Sequence, residues 1–459
     1  MADILLAKAS HSTPITLLTE KDFASWFKRQ PARTKNWLEA REFKPEPGNS
    51  CVLPGAAGKT ERVVAILSMP PNLWDVADLP TKLSDGVYSL EWNGPLAFHE
   101  WLALGWALGA YKFTRYKKNK KQPARLALIK GADTAKIMRY AEAIMQARDL
   151  INTPAEDMGP EQLADAIAAV GKKYKAKVTQ TVGDDLLKKN YPAIHTVGRA
   201  SSRPPRLIDL TWGDPRHPRV TLVGKGVCFD TGGLDLKTSG GMYLMKKDMG
   251  GAACALAVAR MIMGAKLKVR LRLLVPAVEN SVSGNAYRPS DVITMRSGLT
   301  VEVGNTDAEG RLILADALAE AAAEKPRLIV DFATLTGAAR TALGPDLSAL
   351  FCNSDDLATA ILTAGRDMDD PLWRMPLHAP YKKMLDSGIA DCNSAPGSAY
   401  AGAITAALFL QQFVTPVTDW AHIDLMAWNV SSKPGRPEGG EAMAVRAIYR
   451  TIESKIARR

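Results

Sequence analysis

Asp307, Glu309 and Arg311 stand at alternate positions in the stretch Val303–Arg311, beside Gly304 and Gly310 and just ahead of an apolar-periodic helical pattern, Leu312–Ala323. Charge of this density at a helix start is costly unless a charged group sits among it. Alternate residues of an extended segment point the same way. The carboxylates are therefore expected to close on one cation, while Arg311 and the helix N-terminus face an anion. A second charged loop follows the strand pattern Val220–Gly224, where Lys225, Asp230 and Lys237 are interspersed with Gly226, Gly232 and Gly233. Eleven residues beyond Lys237, Asp248 precedes Gly250 and Gly251 at the mouth of another helical pattern.

Each of the acids Asp230, Asp248, Asp307 and Glu309 taken alone reads as a helix cap or a surface residue. Converging at strand ends, they would repel and shift one another's ionisation, a conflict that divalent metal resolves. The chain has six histidines, none paired at ligand spacing, so the site is oxygen-rich and suits zinc, manganese, magnesium or cobalt in hydrolytic work. Competing motifs fail on counting. Gly58-Lys59-Thr60 ends like a phosphate loop but has Leu53 where the first glycine belongs, and His99-Glu100 has Ala103 at the second zinc-ligand position. A dinucleotide loop from Gly224 would need glycine at Phe229, and a nucleophile elbow at Ser239 meets Lys237 instead of glycine.

The elements that must position these residues alternate. Helical patterns at Glu161–Val170, Gly250–Met263, Arg311 onward and Ala401–Phe413 are interspersed with strand patterns at Lys177–Val182, Ala193–Val197, Leu207–Thr211, Val220–Gly224, Val269–Val275, Leu328–Phe332 and Trp420–Leu425. Such alternation predicts a mostly parallel sheet covered by helices on both faces, with ligands at the carboxyl ends of the strands. Upstream, strands at Val63–Leu67 and Leu126–Ile129 and a helix at Leu96–Ala110 predict a smaller α/β domain without a catalytic constellation. We expect an N-terminal α/β domain over residues 1–134, a connecting helix over 135–155 and a catalytic domain over 156–459.

Composition narrows the class. Apolar residues make up 46% and charged residues 23%, ordinary for a soluble protein. Five scattered cysteines without a Cys-x-x-Cys spacing argue against a disulfide framework, and no leader or membrane-spanning run is legible, so a cytoplasmic protein with no membrane partner is expected. The net charge of +11 is densest at Lys112–Lys121. That run reads as a solvated surface or linker before it reads as a nucleic-acid patch. His422 and Asp424 read as a buried hydrogen-bonding pair, and Cys228 and Cys254 as packing residues. Met245, beside Asp248, and Met426 are candidates to border a substrate side-chain pocket.

The segments Val223–Lys237, Met245–Ala253, Asn305–Leu312 and Ala333–Ala338 resemble, in order and spacing, the leucyl (cytosol) aminopeptidase family, and the octapeptide Asn-Thr-Asp-Ala-Glu-Gly-Arg-Leu resembles its signature. The resemblance covers about residue 135 to the C-terminus. It implies a hydrolase that removes the N-terminal residue from peptides at two divalent metal ions per subunit, zinc or manganese, with magnesium or cobalt as alternatives. Lys225, Asp230, Asp248, Asp307 and Glu309 match the ligands, with Asp230 and Glu309 bridging. Lys237 matches a lysine that stabilises the oxyanion. Arg311, with Leu335 nearby, matches the holder of a bicarbonate acting as base toward a metal-bridging water. Thr334, Leu335 and Gly337 match the loop lining the substrate. The resemblance further implies a homohexamer, and, because some relatives bind DNA, nucleic acid is the alternative partner. The segment Pro434–Ala442 departs from the family pattern in a region bordering its substrate pocket, which leaves the preferred N-terminal residue open.

Overall fold

The computed structural model describes residues 4–55, 58–118, 121–414 and 419–457. It divides into two compact units, one of Met1–Met145 with Ser431–Glu438, the other of Gln146–Val430 with Gly439–Arg459.

In the first unit the strands are β1 (Leu5–Leu6), β2 (Thr13–Thr19), β3 (Ser50–Pro54), β4 (Thr60–Leu67), β5 (Val87–Glu91) and β6 (Arg125–Ala127). Among the described residues they form one sheet in the order β1-β6-β5-β2-β4-β3, parallel except for the β3/β4 pair. The run Val63–Leu67 is fully buried in β4, between β2 and the edge strand β3. The expected helix at Leu96–Gly109 packs with Leu104, Trp106 and Leu108 inward, and Trp106 anchors its indole on the Ala124 carbonyl at 3.0 Å. The described residues of the basic run are exposed at Lys112, Arg115, Lys117 and Lys118, while Lys120 lies outside the described residues. The first part of the divergent segment, Pro434–Glu438, belongs to this unit: Arg436 lies over the Trp74 ring at 4.8 Å, and Gly435 fits where a Cβ would stand 2.7 Å from the same ring.

In the second unit the strands run in chain order as β7 (Lys177–Val182), β8 (Arg206–Trp212), β9 (Arg219–Gly224), β10 (Gly226–Asp230) and β11 (Arg270–Asn280). They continue as β12 (Val292–Thr294), β13 (Thr300–Glu302), β14 (Leu328–Ala333), β15 (Ser348–Cys352), β16 (Leu372–Arg374), β17 (Cys392–Asn393) and β18 (Asp419–Asp424). The main sheet has the order β16-β15-β18-β14-β9-β11-β8-β7, with β10 paired to β11. Its centre, β18-β14-β9-β11, is parallel, as is the β10/β11 pair, and antiparallel strands flank it. The central strands read as unbroken apolar runs because helices cover both faces. Strands β12, β13 and β17 make a separate small sheet.

The segment expected as a strand at Ala193–Val197 is a helix, Pro192–Gly198. Its β-branched Ile194, Thr196 and Val197 favour a strand, but Pro192 sits in the first helical turn and Asp316, from a distant helix, accepts from the Ala193 and Ile194 N–H groups at 2.8 and 3.3 Å. A tertiary cap overrides the local pattern. Elsewhere the helix Gly250–Gly264 lies directly on the sheet. A Cβ at Gly251 would stand 2.1 Å from the Phe332 carbonyl oxygen, so only glycine lets helix and strand approach this closely.

Candidate metal centre

The chemistry-bearing residues leave the carboxyl ends of the parallel strands. Lys225 follows β9, Asp230 ends β10, Thr334 follows β14 and Asp424 ends β18. Asp307 and Glu309 arrive from the other side. Contrary to expectation, they do not stand on an extended segment: Thr306–Ala308 is a 3-10 turn whose Asp307 N–H donates to the Asn305 side chain at 2.7 Å, and Glu309 opens the helix Glu309–Ala323. The turn still brings the acids together. Asp230, Asp307 and Glu309 each present an oxygen, and these lie within 4.8 Å of one another.

Two lysines thread this cluster. The Lys225 ammonium lies 2.7 Å from Asp248 Oδ2 and 2.9 Å from Glu309 Oε1, and donates to the Thr334 carbonyl at 3.0 Å. The Lys237 ammonium pairs with Asp230 at 2.8 Å and with Asp307. Asp230 is oriented by the Gly232 N–H and by Asn280 Nδ2, at 2.9 and 2.8 Å. Asp248 Oδ1 accepts from the Thr334 hydroxyl at 2.7 Å.

Four carboxylates thus face two ammoniums. Burial, reinforced by Asp230, raises Glu309 well above the usual carboxylate range, and the same two causes push Asp307 up to about 6. Although burial opposes it, Asp248, Glu309 and Asp230 hold Lys225 above its ordinary value. Asp248 Oδ2 and Glu309 Oε1 are buried beside Lys225 without an aligned hydrogen bond. Under-compensated, oxygen-only donors with buried atoms left unbonded fit divalent cations.

Arg311 is 7% exposed, and burial pulls it down to about 10. It donates through Nη1 to the Ser394 carbonyl at 2.7 Å, while its Nε is buried without a partner, the disposition of a guanidinium available to an anion. The Leu335 N–H, by contrast, is donated to Asp424 at 3.0 Å. Gly337 is exposed at the start of the helix Gly337–Leu343, and Met245 is half-buried at the start of the 3-10 turn Met245–Met249. In that same turn Lys247 is buried, and burial draws it down to about 8.

Several contributors escaped the sequence reading. Asn280 ends the apolar strand β11 opposite Asp230, and a polar side chain at that carboxyl end was a usable signal. Thr306 accepts from the Asp235 N–H at 2.8 Å and donates to the Gly232 carbonyl at 2.7 Å, which sews the glycine loop to the signature. Tyr287 holds the backbone of the signature, donating to the Thr306 carbonyl at 2.6 Å. His422 and Asp424 are both buried but not bonded to each other. His422 Nδ1 meets Asp331 at 2.6 Å, because Asp331 is its register partner on β14, and Asp424 instead caps the Leu335 and Thr336 N–H groups. Cys228 and Cys254 are buried, and burial raises both thiols, as suits packing residues.

A mostly parallel α/β sheet with an acidic, lysine-threaded centre at its strand ends fits a metal-dependent hydrolase. The chain belongs to the cytosol aminopeptidase family, whose catalytic-domain model matches residues 145–449; the N-terminal-domain model of the M17 aminopeptidases matches residues 13–129, so the likeness reaches further upstream than the motifs suggested. It is 42% identical over 347 residues to Peptidase B of Serratia proteamaculans, covering 73% of this chain and 80% of that protein. The crystal structure of a cytosol aminopeptidase from Coxiella burnetii is similar, with a TM-score of 0.95, 49% identity and 99% of both chains covered. The bottromycin maturation enzyme BotP in complex with Mn is similar at a TM-score of 0.87 and 32% identity, covering 97% of this chain and 99% of that one. Among the described residues, no helix is long and apolar enough to cross a membrane.

Proposed function

We propose that this protein releases the N-terminal residue from peptides, with Asp230, Asp248, Asp307 and Glu309 holding two divalent cations, zinc or manganese, and with Lys225 as a further ligand through its neutral amine, a cation at its place taking over from the proton that now pairs it with Asp248 and Glu309. The observation that carries the reading is the convergence of Asp230, Asp307 and Glu309 within 4.8 Å beside the Lys237 ammonium. When bound, such cations polarise a scissile carbonyl, acidify water and take the free α-amine of the substrate, which limits cleavage to the first peptide bond. Lys237, charged and held by Asp230, is placed to donate to the carbonyl oxygen as negative charge develops there. Arg311, with its Nε buried and unpartnered, would hold a bicarbonate, which would supply a base beside the attacking water. Leu335 borders that anion, and Thr334 and Gly337 line the peptide. By resemblance the protein works in the cytoplasm as a homohexamer.

The test is hydrolysis of an aminoacyl arylamide panel after metals are stripped and singly restored. Cleavage is expected only with metal and only when the α-amine is free; equal cleavage of N-acetylated substrates would overturn the reading. Lys237→Met is expected to lower kcat on the order of 10²-fold with little change in KM.

A further inference from the structure

The end of the main sheet opposite the metal centre is basic. Strands β9, β11 and β14 run parallel and begin there, and the six residues of β9 span roughly 20 Å before Lys225. Arg219 and Arg270 are register partners on β9 and β11. Two residues on, Thr221 pairs with Arg272, whose other neighbour is Thr211 of β8. Alternate residues of a strand share a face, so these side chains lie on the side of Val223 and Leu274, which belong to one apolar cluster with Leu312 and Ile313 of the helix Glu309–Ala323. Arg327 extends the row: its N–H donates to the Arg219 carbonyl at 3.0 Å, one residue ahead of the Leu328–Val220 pair.

Like charges directly opposite each other destabilise a sheet. Arg272 is compensated, by Asp209 and Glu320 at 2.7 Å each and by Glu324 at 3.0 Å. The row ahead of it is not. Among the described residues Arg219 reaches only the neutral Glu324 carbonyl, at 2.8 Å, and Arg270 only the Gly213 carbonyl, at 3.0 Å, while the exposed Arg327 and Lys325 side chains have no acceptor. Arg219, Arg270 and Arg272 wall a cavity of about 280 Å³ together with Thr211 and Thr221, and Arg219 also walls an adjoining groove with Lys325 and Arg327. Glu324 lines the cavity too, but its carboxylate is spent on Arg272, whose Nη1 is still buried without an aligned hydrogen bond. Guanidinium forks beside hydroxyls match the oxygens of a phosphate group. We propose that cavity and groove together bind a phosphate chain, inorganic or borne by a nucleoside, at a site separate from the metal centre.

The test titrates the metal-loaded protein calorimetrically at low ionic strength with inorganic phosphate, tripolyphosphate and ATP, the last two saturated with magnesium so that they do not strip the bound metals. Tripolyphosphate is expected to bind, and Arg270→Gln and Arg327→Gln should each weaken it by about tenfold or more, the scale of one charge-assisted hydrogen bond. Arg327 is exposed and its side chain has no hydrogen-bonding or ionic partner among the described residues, so its variant tests the site even where Arg270→Gln, which gives up the Gly213 carbonyl, does not fold. ATP binding more tightly than tripolyphosphate assigns the chain to a nucleoside; ATP binding no more tightly assigns it to an inorganic chain. A parent protein that binds none of the three probes overturns the proposal. So does affinity left unchanged in both variants, because the anion then sits elsewhere, as at Arg311. An equal loss in Arg115→Gln, an exposed arginine of the first unit, overturns it as well, since net charge alone then attracts the anion.

Discussion

Glu309 and Glu441 are buried to nearly the same degree, at 1% and 5% exposure, yet their surroundings are opposite. Glu441 meets Arg148 through two hydrogen bonds of 3.0 Å and accepts further bonds from Asn429 and the Ala442 N–H, at 2.8 and 2.9 Å. Glu309 faces Asp230 and Asp307 across the same small volume, shares Lys225 with Asp248, and keeps one oxygen without an aligned donor. One carboxylate is neutralised by its own fold; the other is left with fewer donors than acceptors around it. Burial alone does not separate structural from functional charge. The completeness of the local bonding does.

The contrast is open to measurement. Glu309→Ala should lower kcat/KM by well over the roughly 100-fold typical of losing a metal's outer partner, with less metal bound per chain, while the metal-free protein stays as stable as the parent or becomes more so. Lower stability of that metal-free variant in urea unfolding would erase the distinction. Glu441→Ala should behave in reverse. By leaving Arg148 buried without its partner it should cost about 3–5 kcal/mol of unfolding free energy, with kcat per folded molecule retained. Chelation should destabilise the parent by about 3 kcal/mol relative to a metal concentration near 100 times the dissociation constant, and Glu309→Ala should show a smaller drop in the same thermal scans.

Asp316 falls between the two kinds. It is buried and accepts from the backbone N–H groups of Ala193, Ile194 and Arg296, yet burial still pushes it up to about 6 from 3.8. The folded state therefore binds its proton more tightly than the unfolded chain. Its contribution is fully present below the unfolded value and is lost as the pH rises through about 6. Lowering the pH from about 7 to about 4 should favour the parent over Asp316→Asn by about 2 kcal/mol in paired denaturant titrations. No change in that difference would show that its backbone donors already satisfy it as fully as Glu441.

The sequence carried the chemistry better than the scaffolding. Asp230, Asp248, Asp307, Glu309 and both lysines were legible because charge beside glycine at a strand end or helix mouth has few uses. The parallel centre of the sheet was legible from its apolar runs. What escaped depends on partners distant in the chain. Pro192–Gly198 reads locally as a strand until Asp316 caps it, and His422 finds Asp331 only once β14 and β18 are in register. Asn280 and Thr306 look like ordinary loop-edge polar residues until the glycine loop folds over them.

Gly310 sits between Glu309 and Arg311, and a Cβ there would stand 2.5 Å from Cε and 2.8 Å from Nζ of Lys225. Three consecutive residues of one helical turn thus hold a buried carboxylate, a clearance for the lysine and a buried guanidinium, each at its own bearing around the axis. A helix turns about 100° per residue. One residue inserted before Gly310 would swing the clearance away from Lys225 and put a side chain in its path. The chain can lengthen in its loops, but this turn works like a key whose teeth have a fixed order.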